Sequence, residues 1–123
     1  MRAVGSVLHD FYTGVEKIWE LIARKVDGTV PPGDEWHKEL LTQMSVEVPG
    51  LRPAVIDKRL RDLLGEYLRF RHVFRNVYGF ELDWGKMKEL VEKLPGAVET
   101  LQTSVRGFIG SLKDIAEEAE DSG

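Results

Sequence analysis

The sequence predicts an all-α protein, an antiparallel bundle of four to five helices. Apolar residues recur every three or four positions through long stretches, a spacing that places them on one face of a helix. Strand-like alternation of useful length is missing, and short connections between the periodic stretches favour antiparallel neighbours. The 123 residues suffice for one hydrophobic core, so we expect residues 1–123 to form a single helical domain.

The first helix is predicted from Val4 to about Val26, followed by a stop at Gly28, because glycine is the usual residue just past a helix end. Its inward stripe is predicted as Val4, Leu8, Phe11, Val15, Ile18 or Trp19, Ile22 and Val26. A second, shorter helix is predicted after Asp34, which is a good N-cap residue, and it ends before Pro49-Gly50.

The third helix is predicted to open at Arg52-Pro53 and to run to about Tyr78, where Gly79 follows. Asp83 is expected to cap a fourth segment that ends near Leu94. Because Pro95-Gly96 should break the helix, a separate fifth helix is predicted from Ala97 to about Ala119. The acidic tail, about residues 117–123, is expected to fray.

The amino-acid composition argues against several classes of function. The net charge of −4 argues against a general nucleic-acid coat, although a local basic site remains compatible with it. With no cysteine there is no disulfide framework, thiolate nucleophile or cysteine-based metal site. Since no apolar run reaches the roughly 18 residues that a spanning helix needs, we expect a cytoplasmic protein without a membrane partner.

The stretch with the most side chains that could act in binding or catalysis is the decapeptide of residues 69–78, at the end of the third helix. Its functional side chains are Arg69, Arg71, His72, Arg75, Asn76 and Tyr78. On a helix, Arg71, Arg75 and Tyr78 share one stripe, while His72 and Asn76 form a neighbouring pair nearer to solvent. Guanidinium groups match two phosphate oxygens at once, so the stretch suggests a phosphodiester partner.

A structural interpretation of this stretch is also open. Arginines in one exposed turn commonly pair with carboxylates, and Asp62, Glu66 and Glu81 lie within reach along the sequence. Tyr78 at a helix end would then be a half-buried residue with a wet hydroxyl. The position of Arg71 beside the apolar stripe requires a partner for its charge, either in the core or at a subunit interface.

The chain resembles the HepT-like members of the HEPN superfamily, which are small helical proteins whose active members are RNA-cleaving toxins. The matching segments lie between about residues 8 and 112, and they are Phe11–Glu16, Trp36–Leu41, Arg52–Ala54 and Leu68–Gly79. The active-site pattern of that family is an Arg, four to six residues, a His, one residue and a Tyr. Arg71 and Tyr78 fit this pattern, but Asn76 occupies the His position. No other register restores it, because Gly65, Glu66 and Tyr67 stand where His72 would require an Arg.

The resemblance implies the toxin component of a toxin–antitoxin pair, acting as a metal-independent RNA endonuclease without a cofactor. The implied catalytic set is Arg71, His72, Asn76 and Tyr78, with Arg69 and Arg75 holding RNA phosphates. Asn76 cannot exchange a proton near neutral pH, so His72 would be the substitute. Alternatively, cleavage is lost and the protein is a binding module for a nucleotidyltransferase partner or a nucleotide.

The family builds its site across a homodimer, which the sequence makes plausible. Arg71 and Asn76 point about 140° apart on a continuous helix, so they converge only at an irregular helix end or across two subunits. The resemblance further implies a cognate nucleotidyltransferase antitoxin that adenylylates Tyr78. Metal binding by His9 and His37 is not favoured by their spacing, and Trp36 with His37 is predicted to be a structural pair.

Overall fold

The computed structural model describes residues 2–76 and 84–122, and of these it describes the side chains of residues 3–74 and 84–120. Four α-helices occupy this part of the chain: α1, Arg2–Ile22; α2, Trp36–Met44; α3, Lys58–Asn76; and α4, Trp84–Ser122. Its only strand-like feature is an isolated bridge between Val48 and Arg52. The predicted all-α fold is confirmed, and no described helix is long and apolar enough to cross a membrane.

One core joins the four helices. α1 packs against the other three helices, and α3 contacts both α2 and α4. The largest fully buried side chains are Trp19, Tyr12, Tyr67, Leu8, Leu40, Met44, Leu64, Met87, Leu90 and Val15. Of the two candidates in α1, Trp19 is the buried residue and Ile18 lies at the edge. Tyr12 was missed by the predicted stripe, which named Phe11 instead.

α1 ends in a wide turn. Ala23–Asp27 form a π-helical turn, so the regular α-helix stops four residues before the predicted end at Val26. Gly28 is left-handed, with a φ of 77°, and its N–H donates to the carbonyl of Ala23. Thr29 N–H donates to the same carbonyl at 3.0 Å. The predicted stop at Gly28 is therefore confirmed, since a residue without a Cβ takes this conformation at little cost.

A buried ion pair anchors this turn to the loop after α2. Arg52 Nη2 lies 2.8 Å from Asp27 Oδ2, and the two side chains are 0% and 4% exposed. Arg52 also donates to the carbonyls of Val46 and Pro53, at 3.0 and 2.9 Å. Burial opposes ionisation of Asp27, but hydrogen bonds from Arg52 and Gln43, together with the Arg52 charge, outweigh it and lower the pKa of Asp27.

Two predicted helix starts are wrong. α2 begins at Trp36 after Glu35, and Asp34 lies in the preceding turn rather than at the N-cap. α3 begins at Lys58 instead of Arg52-Pro53, because Asp57 Oδ1 accepts from Leu60 N–H at 2.8 Å and caps the helix there. The segment before it bonds to the end of α2 through the amides of Val55 and Ile56, which donate to the Met44 carbonyl.

The predicted break at Pro95-Gly96 is also wrong, since α4 is one helix of 39 residues that contains Pro95. Leu90, Ala97, Leu101 and Phe108 are buried on both sides of the proline, so its two halves share one apolar face. Packing of that face outweighs the roughly 3 kcal/mol that an interior proline costs. The acidic tail is helical through Ser122, and residues 113–120 are exposed. The predicted helix end at Tyr78-Gly79 and the predicted cap at Asp83 lie outside the described residues.

Candidate functional site

Arg71, the first residue of the predicted motif, forms a buried ion pair. Its Nη2 atom lies 3.1 Å from both carboxylate oxygens of Glu16, which comes from α1. Arg71 is 4% exposed and Glu16 is 6% exposed. Arg71 Nη1 also approaches the Thr13 hydroxyl at 3.5 Å. The sequence predicts that the Arg71 charge beside the apolar stripe needs a partner. That partner is the Glu16 carboxylate of the same chain, which is not among the candidate carboxylates named from the sequence.

The phenol ring of Tyr12 faces the guanidinium of this ion pair. The guanidinium carbon of Arg71 is 5.0 Å from the centroid of the Tyr12 ring, within cation–π range. Burial, helped by the nearby charge of Glu16 and opposed by that of Arg71, raises the pKa of Tyr12 well above its usual range. Its buried hydroxyl has no hydrogen-bond partner among the described residues.

His37 from α2 completes the cluster. Its Nδ1 atom lies 2.8 Å from Glu16 Oε2 and 3.1 Å from Arg71 Nη2. The expected pairing with Trp36 is present, because the two ring centroids are 3.7 Å apart and the rings are inclined by 31°. α1, α2 and α3 therefore meet at a single carboxylate. We call Glu16, His37 and Arg71 the buried cluster.

The buried cluster borders a groove between α2 and α3 with a volume of about 750 Å³. Three residues of the predicted site, Arg69, Arg71 and His72, line this groove together with His37. Arg69 and His72 are exposed, whereas Arg71 is buried at the groove wall. This agrees with the predicted arrangement on the helix, in which His72 faces further towards solvent than Arg71.

The groove carries charges of both signs. Lys38 and Arg61 add cations, while Asp34, Glu35 and Asp62 add carboxylates. Asp62 accepts from Arg61, at 3.1 Å. Glu66, the other candidate partner, pairs with Lys86 at 2.7 Å and Lys93 at 3.6 Å. Asp62 and Glu66 are two of the candidate partners predicted from the sequence for the motif arginines, and neither of them pairs with Arg71.

The later residues of the motif lie outside the part of the chain whose side chains the structure describes. The side chains of Arg75 and Asn76 and the whole of Tyr78 lie outside the described residues, as does Glu81. The structure thus brings together Arg69, Arg71 and His72. The contribution of the later motif residues to the site stays a prediction. Within residues 2–76 and 84–122, no group of three or more His, Cys, Asp or Glu side chains could hold a metal ion. His9 lies apart from the groove, 3.4 Å from Asp10 and against the ring of Phe74.

Sequence reasoning missed Glu16 and Thr13 as site residues, and it treated His37 as structural. A signal was present, since both Glu16 and His37 fall inside segments that resemble the HepT-like family. However, periodicity cannot pair residues that are 55 and 34 positions away from Arg71. A buried Glu on the apolar side of α1 was the available clue, because a buried carboxylate requires a cationic partner.

The fold and the site define a class of small all-α protein in which a groove beside the third helix carries arginine and histidine. A family model described as HepT-like protein matches residues 3–112, and the chain accordingly belongs to the HepT-like family. The resemblance stated from the sequence is confirmed at this level, and it makes the protein a toxin-like member of the HEPN superfamily. No curated protein and no solved structure matches the chain significantly.

Proposed function

We propose that this protein is the cytoplasmic toxin component of a toxin–antitoxin pair, and that it cleaves RNA without a metal ion. The observation that carries the proposal is the groove, which gathers Arg69, Arg71 and His72 in one place. Arg69 is the exposed guanidinium available to a phosphate, with Arg75 as a second phosphate ligand. The groove supplies imidazole, the side chain best suited to move a proton near neutral pH.

The proposed reaction is an attack of the RNA 2′-hydroxyl on the adjacent phosphorus. A base removes the hydroxyl proton as the new P–O2′ bond forms. The P–O5′ bond breaks, and the leaving 5′ oxygen takes up a proton. The products are a 2′,3′-cyclic phosphate and a free 5′-hydroxyl, so neither water nor a metal is consumed in this step. General acid–base assistance is worth about 10²- to 10⁴-fold in rate, and hence an imidazole is essential to the proposal.

Arg71 takes a positioning role in this scheme. Its contacts with Glu16 and with the Thr13 hydroxyl fix the buried guanidinium at the groove wall. Arg71→Ala is a poor test of this role because it would also leave Glu16 buried without a counter-charge. Arg69→Gln is the better choice, since Arg69 is exposed.

The test uses purified protein with single-stranded RNA and with DNA of the same sequence, both in excess chelator. We expect cleavage of the RNA alone, to products ending in a cyclic phosphate, because DNA lacks the attacking hydroxyl. Arg69→Gln should weaken RNA binding and reduce its dependence on salt by about one counter-ion. Absence of cleavage of any RNA, or equal cleavage of DNA, would contradict the proposal.

We further propose that the protein acts as a homodimer and pairs with a nucleotidyltransferase antitoxin that adenylylates Tyr78. Membership of the family supports both statements, and the five-residue spacing of Arg71 and Asn76 in the sequence, which predicts opposed directions on a continuous helix, supports the dimer. Sedimentation checks the dimer. Incubating the pair with labelled ATP checks the modification, which should be absent from Tyr78→Phe.

A second candidate is a binding module of the same family that has lost cleavage. Two observations favour it: Asn76 replaces the motif histidine, and Glu16 already neutralises Arg71. Its ligand would be the nucleotidyltransferase partner or a nucleotide. Asn76→His separates the two candidates, because cleavage or growth inhibition gained only by this variant identifies a degenerate site, while equal activity of variant and parent supports an active one.

A further inference from the structure

We propose that His37, oriented by Glu16, is the proton-transfer group of the groove and takes the role that the motif loses at Asn76. This inference rests on the proposed function and names the imidazole that serves it. His37 comes from α2, outside the motif of α3, yet it lies beside Arg71 and lines the same groove as His72.

The shortest contact of His37 favours one tautomer of its ring. Nδ1 lies 2.8 Å from a carboxylate oxygen of Glu16, a distance at which two lone pairs would repel each other. We assign the proton to Nδ1, which then donates to Glu16, while Arg71 Nη2, a donor 3.1 Å from the same nitrogen, donates to the Glu16 oxygens and not to the ring. In the neutral ring the lone pair is then on Nε2. A histidine that is held in this way by a buried carboxylate is the arrangement in which hydrolytic enzymes keep a base ready.

The surroundings of His37 favour proton exchange with a bound ligand. Its side chain is 32% exposed, whereas that of Glu16 is 8% exposed. The Glu16 carboxylate is thus on the inner side and the imidazole is partly accessible at the groove. Stacking on Trp36, at 3.7 Å between centroids, restricts the ring further. Arg71 Nη2, at 3.1 Å from Nδ1, places a guanidinium next to the imidazole.

His72 is the other imidazole that lines the groove. His37 is fixed by an ion-paired carboxylate from a second helix and by an indole. A fixed base is the better catalyst because less orientation has to be lost when the substrate reacts. The chain contains three histidines, so a complete imidazole scan is feasible.

The experiment compares His37→Gln, His72→Gln and His9→Gln with the parent in single-turnover RNA cleavage, with RNA affinity measured separately. His9 lies outside the groove and serves as the matched control. Glutamine can still donate to Glu16 and fill the space beside Trp36, so thermal melting should confirm that His37→Gln folds. We expect His37→Gln to lower the cleavage rate about 10²- to 10⁴-fold, while its RNA affinity changes less than about threefold.

Two rescue measurements separate proton transfer from a structural role. Added imidazole should restore part of the activity of His37→Ala, and Asn76→His should restore activity to His37→Gln by returning an imidazole to the motif. Parental rates in His37→Gln, or a loss confined to His72→Gln, would overturn the inference and leave the proposed function standing. A parent that cleaves no RNA would instead overturn the proposed function, and the role of His37 with it.

Discussion

Arg71 and Glu16 form a buried ion pair across 55 residues of sequence, with Arg71 Nη2 at 3.1 Å from both carboxylate oxygens. The pair ties α3 to α1 at the point where the groove begins. Because both groups are nearly excluded from solvent, each charge depends on the other. Substitutions at either residue therefore affect folding as well as chemistry.

Glu16→Ala should destabilise the protein by about 3–5 kcal/mol, since it leaves the Arg71 charge buried without its partner. Urea denaturation measures the effect. The control is Glu16→Leu combined with Arg71→Met, which replaces both charges by apolar groups and should recover most of the lost stability. A Glu16→Ala variant that unfolds at the parental urea concentration would show that the pair does not hold these helices together.

Asp27 and Arg52 should make the fold sensitive to acid. The pKa of Asp27 is lowered in the folded state, so its contribution to stability is complete above the unfolded value of about 3.9 and is lost as the pH falls through the lower folded value. The free energy of unfolding of the parent should thus fall more steeply below about pH 4 than that of Asp27→Asn. Urea denaturation from neutral pH to about pH 2.5 tests this, and parallel curves would contradict it.

Tyr67 and Tyr12 should respond differently to loss of the hydroxyl. Tyr67 donates to the Leu90 carbonyl at 2.6 Å, and burial, with a smaller effect of Glu66, raises the pKa of Tyr67 to about 12. Tyr67→Phe should cost about 1 kcal/mol. Tyr12→Phe removes a buried hydroxyl that has no partner among the described residues, so stability should be unchanged or increased. Equal losses in thermal or urea unfolding would contradict this distinction.

Pro95→Ala should stabilise α4. The proline is exposed inside the helix, where it removes a backbone hydrogen bond that alanine would restore. We expect a gain of about 1–3 kcal/mol, less than the full helix preference because proline also restricts the unfolded chain. Gly96→Ala is the matched control, since a Cβ there meets no atom within 4 Å and should add about 0.5–1 kcal/mol. A destabilised Pro95→Ala would show that the proline shapes the helix for its packing.

The sequence predicted the helices wherever local signals act alone. Periodicity located Leu8, Val15 and Ile22 in the core of α1, and Gly28 marked the end of the first helix. The choice between Ile18 and Trp19 stayed open, because adjacent residues differ by only 100° and neighbouring helices decide which one is covered. The family and the helical fold could also be predicted from the sequence, because both depend on contiguous segments of the chain.

Features that depend on distant partners were not predictable from the sequence. Pro95 is a strong local break signal, yet the shared apolar face of α4 outweighs it. Pro53 suggested a helix start, but Arg52 is held by Asp27, 25 residues earlier, and α3 begins only after Asp57. The buried cluster needs three helices to be in place before its members meet. These outcomes depend on tertiary contacts, which local propensity does not encode.

The wide turn at Ala23–Asp27 also determines how the chain tolerates changes in length. A π turn is equivalent to one residue inserted into an α-helix, so every residue after it is rotated by about 100° from the direction an uninterrupted helix would give. Asp27 reaches Arg52 only with that rotation. Deleting one residue between Ile22 and Asp27 would remove the extra residue and regularise the helix, so the carboxylate would still face its partner. This turn is consequently the place, at the end of α1, where the loss of one residue is tolerated best.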